Sequence, residues 1–351
     1  MRIPSPYLLH LGEAPDPLSV KTARGIADWR PELVVGQYRQ ATNVATLGLG
    51  EMDFESAVAA GAKTLVLGFA NAGGRMSDGV VRDVLAALQA GLHVASGLHQ
   101  HLRDNLQIRT LAAELGRALF DIRVPPGDLK VGDGGRRSGR RLLTVGTDCS
   151  VGKMYTALSI EQELRHRQRP ADFKATGQTG ILIAGGGVPL DAVVGDFLSG
   201  AIEQLSPARD DGGWDVIEGQ GSLFHPSYAG VSLGLLHGAQ PDALVLCHEA
   251  ERPHTRGLPS YRLPTLGECL DLNLEVARLT NPAAIAVGVA LNTSRLTPSQ
   301  ARDAMQDVEA ELGVPCGDPV RTGVQRIVDR LLECFDLAPA LSQPRPAPEQ
   351  A

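Results

Sequence analysis

The sequence predicts an α/β protein of two domains, a Rossmann-like N-terminal domain followed by a P-loop NTPase-like domain with a parallel sheet. The chain of 351 residues is about twice the length of a typical domain. Short apolar runs alternate with helical patterns in both halves, as in parallel sheets with crossover helices. A phosphate-loop motif opens the second half. We predict domains at 1–130 and 131–337 and a Pro- and Ala-rich, disordered tail at 338–351.

The first domain has four short apolar runs that predict strands, at residues 33–35, 64–67, 93–95 and 120–124. Between the second and third runs, Asp78 to Ala90 carries apolar residues at helical spacing and stops at Gly91, a typical helix end. The domain lacks a G-x-G-x-x-G fingerprint, so a nicotinamide cofactor is not predicted.

A stretch rich in Pro, Gly and charge at 125–141 interrupts this pattern and predicts the domain boundary. Its four arginines are interpreted as an exposed linker, or alternatively as a contribution to phosphate binding. The second domain continues with apolar runs that predict buried strands at 142–145, 215–217, 243–246 and 284–289. Its last helices are predicted at 298–312 and 321–335.

The phosphate loop follows an apolar strand and precedes an amphipathic helix, which is the context that the motif requires. Its residues are Gly146, Thr147, Asp148, Cys149, Ser150, Val151, Gly152 and Lys153. Glycines allow close backbone approach, successive amide N–H groups can bind an anion, and Lys153 adds a positive charge at the helix N-terminus. The loop is therefore predicted to bind the phosphates of a cofactor.

Met154 stands where a Ser or Thr hydroxyl normally binds Mg²⁺ in such loops. Mg²⁺ prefers oxygen ligands, so a thioether does not replace the hydroxyl. We therefore predict that the loop, Met154 included, holds a diphosphate without transferring a phosphoryl group, and no protein-bound metal is predicted. A water or Thr156 would restore metal binding under the alternative of ATP chemistry.

Candidate catalytic residues follow the predicted strands of the second domain, where ligands meet open α/β sheets. Glu218 is the leading carboxylate, as a general base, a metal ligand or a partner of the loop lysine. His225 suits proton transfer but is equally interpreted as a residue that orders its loop. Ser227 and Tyr228 are predicted to contact substrate.

The next two strand ends add further candidates. Arg252 and Arg256 are predicted to bind a substrate carboxylate or phosphate, and His254 between them could shuttle a proton. Asn292 could hydrogen-bond a purine through its amide, or cap a turn. In the first domain, Arg75 and His99 lie in loops after strands, and both are predicted to face the second domain, with structural hydrogen bonding as the alternative.

Composition excludes several classes of function. A net charge of −7 argues against a nucleic-acid or anionic-membrane partner. The sequence has neither a secretory leader nor an apolar run of the roughly 20 residues that a membrane span needs. Five scattered cysteines lack the spacing of a zinc site and fit a reducing compartment. We expect a cytoplasmic enzyme that forms a homo-oligomer such as a homodimer.

Several motifs in one order resemble a family long labelled as of unknown function, in which a Rossmann-like domain is fused to a P-loop domain. The motifs occupy residues 21–23, 95–99, 146–154, 175–180, 187–192, 218–221 and 254–257. The resemblance implies D-glutamate N-acetyltransferase activity with acetyl-CoA as the donor. The P-loop half is also similar to dethiobiotin synthetase, but Met154 departs from the hydroxyl residue expected there.

Given the activity that this resemblance implies, our leading hypothesis is that acetyl-CoA lies over the P-loop with Asn292 near adenine, and that D-glutamate binds between the domains with its carboxylates paired to arginines. A base then deprotonates the amine for direct attack on the thioester. Glu218, His225, His254 and His99 remain the candidates for that base. The alternatives are a Mg-ATP-dependent ligase or kinase and a nucleotide-sensing binding protein.

Overall fold

The computed structural model describes residues 3–14, 16–17, 19–40, 45–70 and 74–336. The chain forms two compact units, Met1–Asp133 with Lys174–Pro207 and Gly134–Phe173 with Ala208–Ala351. Each unit is built on a sheet with parallel strand pairs, which confirms the predicted fold class. Residues 174–207 pack with the first unit, although the sequence places them in the second domain. The predicted tail at 338–351 lies outside the described residues.

The first unit has a five-stranded sheet in the order β2-β1-β3-β4-β5. Its strands are β1 (Tyr7–His10), β2 (Val34–Tyr38), β3 (Thr64–Leu67), β4 (His93–Ser96) and β5 (Leu119–Asp121). Its early helices are α1 (Lys21–Trp29), α2 (Phe54–Ala59), α3 (Asp78–Ala90) and α4 (Leu106–Glu114). The later segment supplies α6 (Gln178–Ala184) and α7 (Leu198–Leu205).

Local chemistry explains the ends of these elements. The Ser77 hydroxyl accepts a hydrogen bond from the Val80 amide at the start of α3, and Gly91 ends the helix at φ 106°. The last strand was predicted to reach residue 124 but stops at Asp121, whose carboxylate accepts the Leu102 amide at 2.6 Å. β1, which lies between β2 and β3 in the sheet, was not predicted from the sequence.

The second unit has a six-stranded sheet in the order β11-β10-β9-β6-β8-β7. Its strands are β6 (Arg140–Gly146), β7 (Ala171–Lys174), β8 (Trp214–Ile217), β9 (Ala243–Glu249), β10 (Ile285–Asn292) and β11 (Cys316–Gly317). Its helices are α5 (Lys153–His166), α8 (Ala229–Ala239), α9 (Leu266–Arg278), α10 (Pro298–Leu312) and α11 (Gln325–Asp336).

The centre of this sheet is apolar on both faces, as expected for parallel strands covered by helices. Leu142, Val216 and Val245 are each 0% exposed in the core. The prediction that all four arginines of 125–141 lie in the linker is wrong, because Arg140 and Arg141 begin β6. Arg141 is 3% exposed, and its guanidinium donates to carbonyls of residues 137, 138 and 139.

The topology brings three strand ends together. β6 lies between β8 and β9 and pairs with both in parallel, so the segments after these strands leave the same edge of the sheet. Those segments begin at residues 147, 218 and 250. Within the described residues, we find no helix long and apolar enough to cross a membrane.

Candidate functional site at the P-loop

The P-loop joins the end of β6 to the start of α5 in a tight turn. Ser150 has φ 55° and Gly152 has φ 103°, both in the left-handed region. Gly146 has no room for a side chain, since a Cβ there would lie 2.9 Å from Val151 Cγ2. Left-handed residues in a loop that opens a helix are typical of backbone nests that bind anions.

Lys153 is the buried cation of this loop. Its side chain is almost fully enclosed, and the ammonium donates to the Asp148 carbonyl at 2.7 Å. Burial lowers the pKa of Lys153, while the nearby Cys149, Cys247 and Asp148 oppose that shift. An anion bound in the loop would stabilise the ammonium form, so the site favours a negatively charged ligand.

Asp148 ties the loop to the segment after β9. Its fully buried carboxylate accepts the Cys149 amide at 2.6 Å through Oδ1. Its Oδ2 accepts the Arg252 guanidinium at 2.9 Å and the Arg256 amide at 2.7 Å. Asp148 was predicted to bind cofactor, and that remains a prediction; in the structure it organises the loop.

Arg252 holds the P-loop in place through hydrogen bonds to three of its residues. One terminal nitrogen donates to Asp148 Oδ2 and to the Cys149 carbonyl, and the other donates to the Ser150 carbonyl and to Glu249. These four bonds use all the N–H groups of the two terminal nitrogens. Arg252 was predicted to bind substrate, a prediction that is untested, but its guanidinium is already committed to the protein.

We expect the change Arg252→Lys to lower the free energy of unfolding by about 1 to 2 kcal/mol, because an ammonium cannot reproduce the planar fork. The measurement is urea unfolding at pH 7, with Arg302→Lys on the exposed surface of α10 as the matched control. Equal unfolding midpoints for the two variants would contradict the bracing role.

Arg256 differs from Arg252 in exposure. Its amide is bound to Asp148 Oδ2, and one terminal nitrogen donates to Ser150 Oγ at 3.0 Å. The rest of the side chain is exposed to solvent beside the loop. The structure therefore brings this predicted ligand-binding arginine to the P-loop with most of its donors still available.

Glu218 directly follows β8 and is 5% exposed. The next residue, Gly219, donates its amide to Thr144 Oγ1 at 2.9 Å. A Cβ on Gly219 would lie 1.7 Å from the Thr144 carbonyl oxygen and 2.9 Å from Lys153 Cδ. The backbone after Glu218 thus packs against the loop lysine, and the predicted role of the Glu218 carboxylate remains a prediction.

His225 lies in the same segment and stacks on Tyr228 with ring centroids 4.4 Å apart. The Ser227 amide donates to His225 Nδ1 at 3.1 Å, so the proton of the neutral ring is on Nε2. Burial lowers the pKa of His225, and Lys153 adds to this while Asp148 opposes it. The neutral ring is therefore a hydrogen-bond donor through Nε2, which suits it less for accepting a proton there.

Asp148, Cys149 and His225 each bring one possible metal-binding atom within 4.8 Å of the others. This cluster was not predicted from the sequence, because it joins residues that are far apart in the chain. Its hydrogen bonds fit a metal poorly, because His225 Nδ1 already accepts an amide and Asp148 already binds Arg252. The positive charges of Lys153 and Arg252 also favour the binding of an anion over that of a cation.

His254 has the opposite tautomer. Its Nδ1 lies 3.1 Å from the Thr255 carbonyl oxygen, which can only accept, so Nδ1 carries the proton and Nε2 is an acceptor. Of the two candidate histidines of this unit, His254 therefore has the lone pair that a general base needs. Asn292, at the end of β10, uses its side-chain oxygen to accept the Ser294 amide at 3.0 Å.

Two predicted residues lie in the first unit. Arg75 and His99 line a cavity of 450 Å³ together with Gln100 and Asp104. Burial lowers the pKa of His99. Residues 71–73 of the preceding glycine-rich loop lie outside the described residues. In the second unit, Ser227 and Tyr228 are both exposed beside His225.

His248 also lies at this site, although it was not among the residues predicted from the sequence. Its Nδ1 lies 2.8 Å from the Thr147 hydroxyl of the P-loop. Burial, helped by Arg252, lowers the pKa of His248 to about 4. The only sequence signal was its position near the end of a strand, which many residues share.

We expect His248 to make the protein less stable as pH falls from about 6.5 toward 4. The unfolded chain binds a proton on this residue at higher pH than the folded chain does, so protonation favours unfolding. We expect the free energy of unfolding to fall by about 2 kcal/mol over that pH range. Urea unfolding between pH 7 and 4.5 measures it. His248→Asn should flatten the dependence and the exposed His166→Asn on α5 should not; identical pH profiles for both variants would refute the assignment.

Comparisons with known proteins match both units. Residues 130–328 match a P-loop domain of unknown function, DUF1611_C, and residues 36–125 match a Rossmann-like domain of unknown function, DUF1611_N. The chain is 52% identical over 329 residues to a D-glutamate N-acetyltransferase of Tritonibacter scottomollicae, covering 94% of this chain and 99% of the relative. It is 47% identical over 331 residues to a D-glutamate N-acetyltransferase of a Pseudoalteromonas species, and this similarity covers 94% of this chain and 100% of the relative.

A solved structure is also similar to this chain over most of its length. The crystal structure of a DUF1611 family protein from Anabaena variabilis is similar with a TM-score of 0.83 at 33% identity. The similarity covers 94% of this chain and 99% of that chain.

Proposed function

The chain belongs to the DUF1611 family, and from this membership we propose that it is an enzyme that transfers the acetyl group of acetyl-CoA to the amine of D-glutamate. The names of its two relatives support the reaction and the acceptor. The observation that supports acetyl-CoA as the donor is the P-loop itself. The loop combines a buried lysine with a backbone nest, and it has Met154 where a hydroxyl would bind Mg²⁺.

The P-loop suits the diphosphate of CoA on chemical grounds. A diphosphate needs backbone N–H donors, positive charge and a helix N-terminus, all of which residues 150–153 provide. It needs no metal unless a phosphoryl group is transferred, and acetyl transfer to an amine breaks the thioester C–S bond and one N–H bond of the amine but no P–O bond. Met154 is compatible with this use and unfavourable for the Mg-ATP alternative.

The reaction also requires a base. The amine of the acceptor must lose a proton to attack the thioester carbon, and the CoA sulfur leaves as a thiolate that takes up a proton. His254 Nε2 and the Glu218 carboxylate are the two candidates in the second unit with a lone pair to offer. His225, as an Nε2–H donor, suits the binding of an anion.

We expect His254→Ala to lower kcat about 100-fold if Nε2 is the base. The variant His254→Asn separates this from a role in loop order, because asparagine can still donate to the Thr255 carbonyl but offers nothing at the Nε2 position. Both variants should lose activity equally in a thiol-release assay. Near-normal activity of His254→Asn would assign the residue to loop order and leave Glu218 as the base.

The proposed function is tested by acetyl-CoA, D-glutamate and a reagent for free thiols. We expect thiol release that depends on D-glutamate, with L-glutamate as the control for stereochemistry. Calorimetric titration with acetyl-CoA and, separately, with ATP and Mg²⁺ identifies the ligand of the P-loop. Binding of Mg-ATP together with no thiol release from acetyl-CoA would overturn the proposal in favour of a ligase or kinase.

A further inference from the structure

The two arginines after β9 have different amounts of hydrogen-bonding capacity left. Arg252 uses all four N–H groups of its terminal nitrogens on the P-loop and Glu249. Arg256 uses one of its five side-chain N–H groups, on Ser150 Oγ. It therefore presents an open guanidinium at the outer side of the same loop.

Charge balance singles out the same residue. Asp148 is paired with Arg252, and Glu249 is paired with Arg252 and Arg295. Among the described residues, Arg256 forms no ion pair with a carboxylate of the protein. The positive charge of Arg256 is thus available to a ligand that binds at the P-loop.

Arg256 is also held in place before any ligand binds. Its amide is anchored on Asp148 Oδ2 at 2.7 Å, and its guanidinium rests on Ser150 Oγ at 3.0 Å. The following residue, Gly257, has φ 76°, a left-handed turn that leads the chain away. A planar fork that is already positioned loses less conformational entropy when it binds a phosphate.

In addition to its diphosphate, CoA carries a separate phosphate on the 3′-hydroxyl of the ribose. In the proposed function, the loop amides and Lys153 bind the diphosphate, so the 3′-phosphate needs a separate cation outside the loop. We propose that Arg256 binds this 3′-phosphate and thereby makes the enzyme select CoA thioesters over nucleotides that lack it. This inference rests on the proposed use of the P-loop for CoA.

The test compares CoA with dephospho-CoA, which lacks only the 3′-phosphate, by calorimetric titration of the full chain. Wild-type protein should bind CoA about 10- to 100-fold more tightly, the range for a charge-assisted hydrogen-bonding pair. In Arg256→Ala this ratio should fall to about 1, with the Kd of dephospho-CoA changed less than about threefold. Arg256→Lys, which keeps charge without the fork, should give an intermediate ratio.

Arg262→Ala is the matched control, since Arg262 is exposed in the same segment and should leave the ratio unchanged. A thermal melt of each variant checks that it is folded. A ratio that survives in Arg256→Ala, or an equal loss of affinity for both ligands, overturns the inference and leaves the proposed function standing. Wild-type protein that binds neither ligand overturns both.

Discussion

Replacement of Lys153 by alanine should lower kcat/KM for acetyl-CoA by about 1000-fold, the largest functional effect that we expect. The change removes the ammonium of Lys153, a residue that is 7% exposed and donates to the Asp148 carbonyl. Charge-assisted hydrogen bonds to phosphate are worth about 1.5 to 3 kcal/mol each, and a lysine in this position makes more than one. A loss of about 4 kcal/mol corresponds to the stated change in rate.

The variant Lys153→Met separates charge from volume. Methionine fills much of the same space but cannot donate to a phosphate, so its kcat/KM should be as low as that of the alanine variant while its melting temperature stays closer to wild type. Lys63→Ala, on the exposed surface before β3, is the control and should keep full activity. Wild-type kcat/KM in Lys153→Met would show that the lysine charge does not bind the donor.

The largest effect on folding is expected from Gly219→Ala, which should lower the free energy of unfolding by at least about 3 kcal/mol. A Cβ at this position would lie 1.7 Å from the Thr144 carbonyl oxygen, a backbone atom that cannot rotate away. The clash can be relieved only if β8 moves away from β6 next to the P-loop. Urea unfolding measures the change, and activity should fall with it because Lys153 Cδ is the other contact.

Gly230→Ala is the matched control in the same unit. Gly230 lies in α8, and a Cβ there would meet nothing within 4 Å. Alanine is also a better helix former than glycine by about 1 kcal/mol, so this variant should be neutral or slightly more stable. Equal destabilisation of the two variants would mean that the close approach at Gly219 does not govern stability.

The sequence alone determined the features that depend on neighbours in the chain. Apolar runs of a few residues located β3, β4 and β8, helical spacing with Gly91 located α3, and the loop motif located the P-loop before α5. These features follow from local periodicity, backbone conformation and capping, all of which act within a few positions. For the same reason, the fold class was predictable.

The tertiary structure decided which side chains are free to act. Arg252 and Arg256 look alike in sequence, yet contacts with residues about a hundred positions away occupy the first and leave the second open. The ring proton of His225 and that of His254 depend on single hydrogen bonds to nearby backbone, which the sequence does not reveal. The packing of residues 174–207 with the first unit is likewise a long-range outcome. Long-range contacts depend on how the whole chain packs, and no local pattern encodes them.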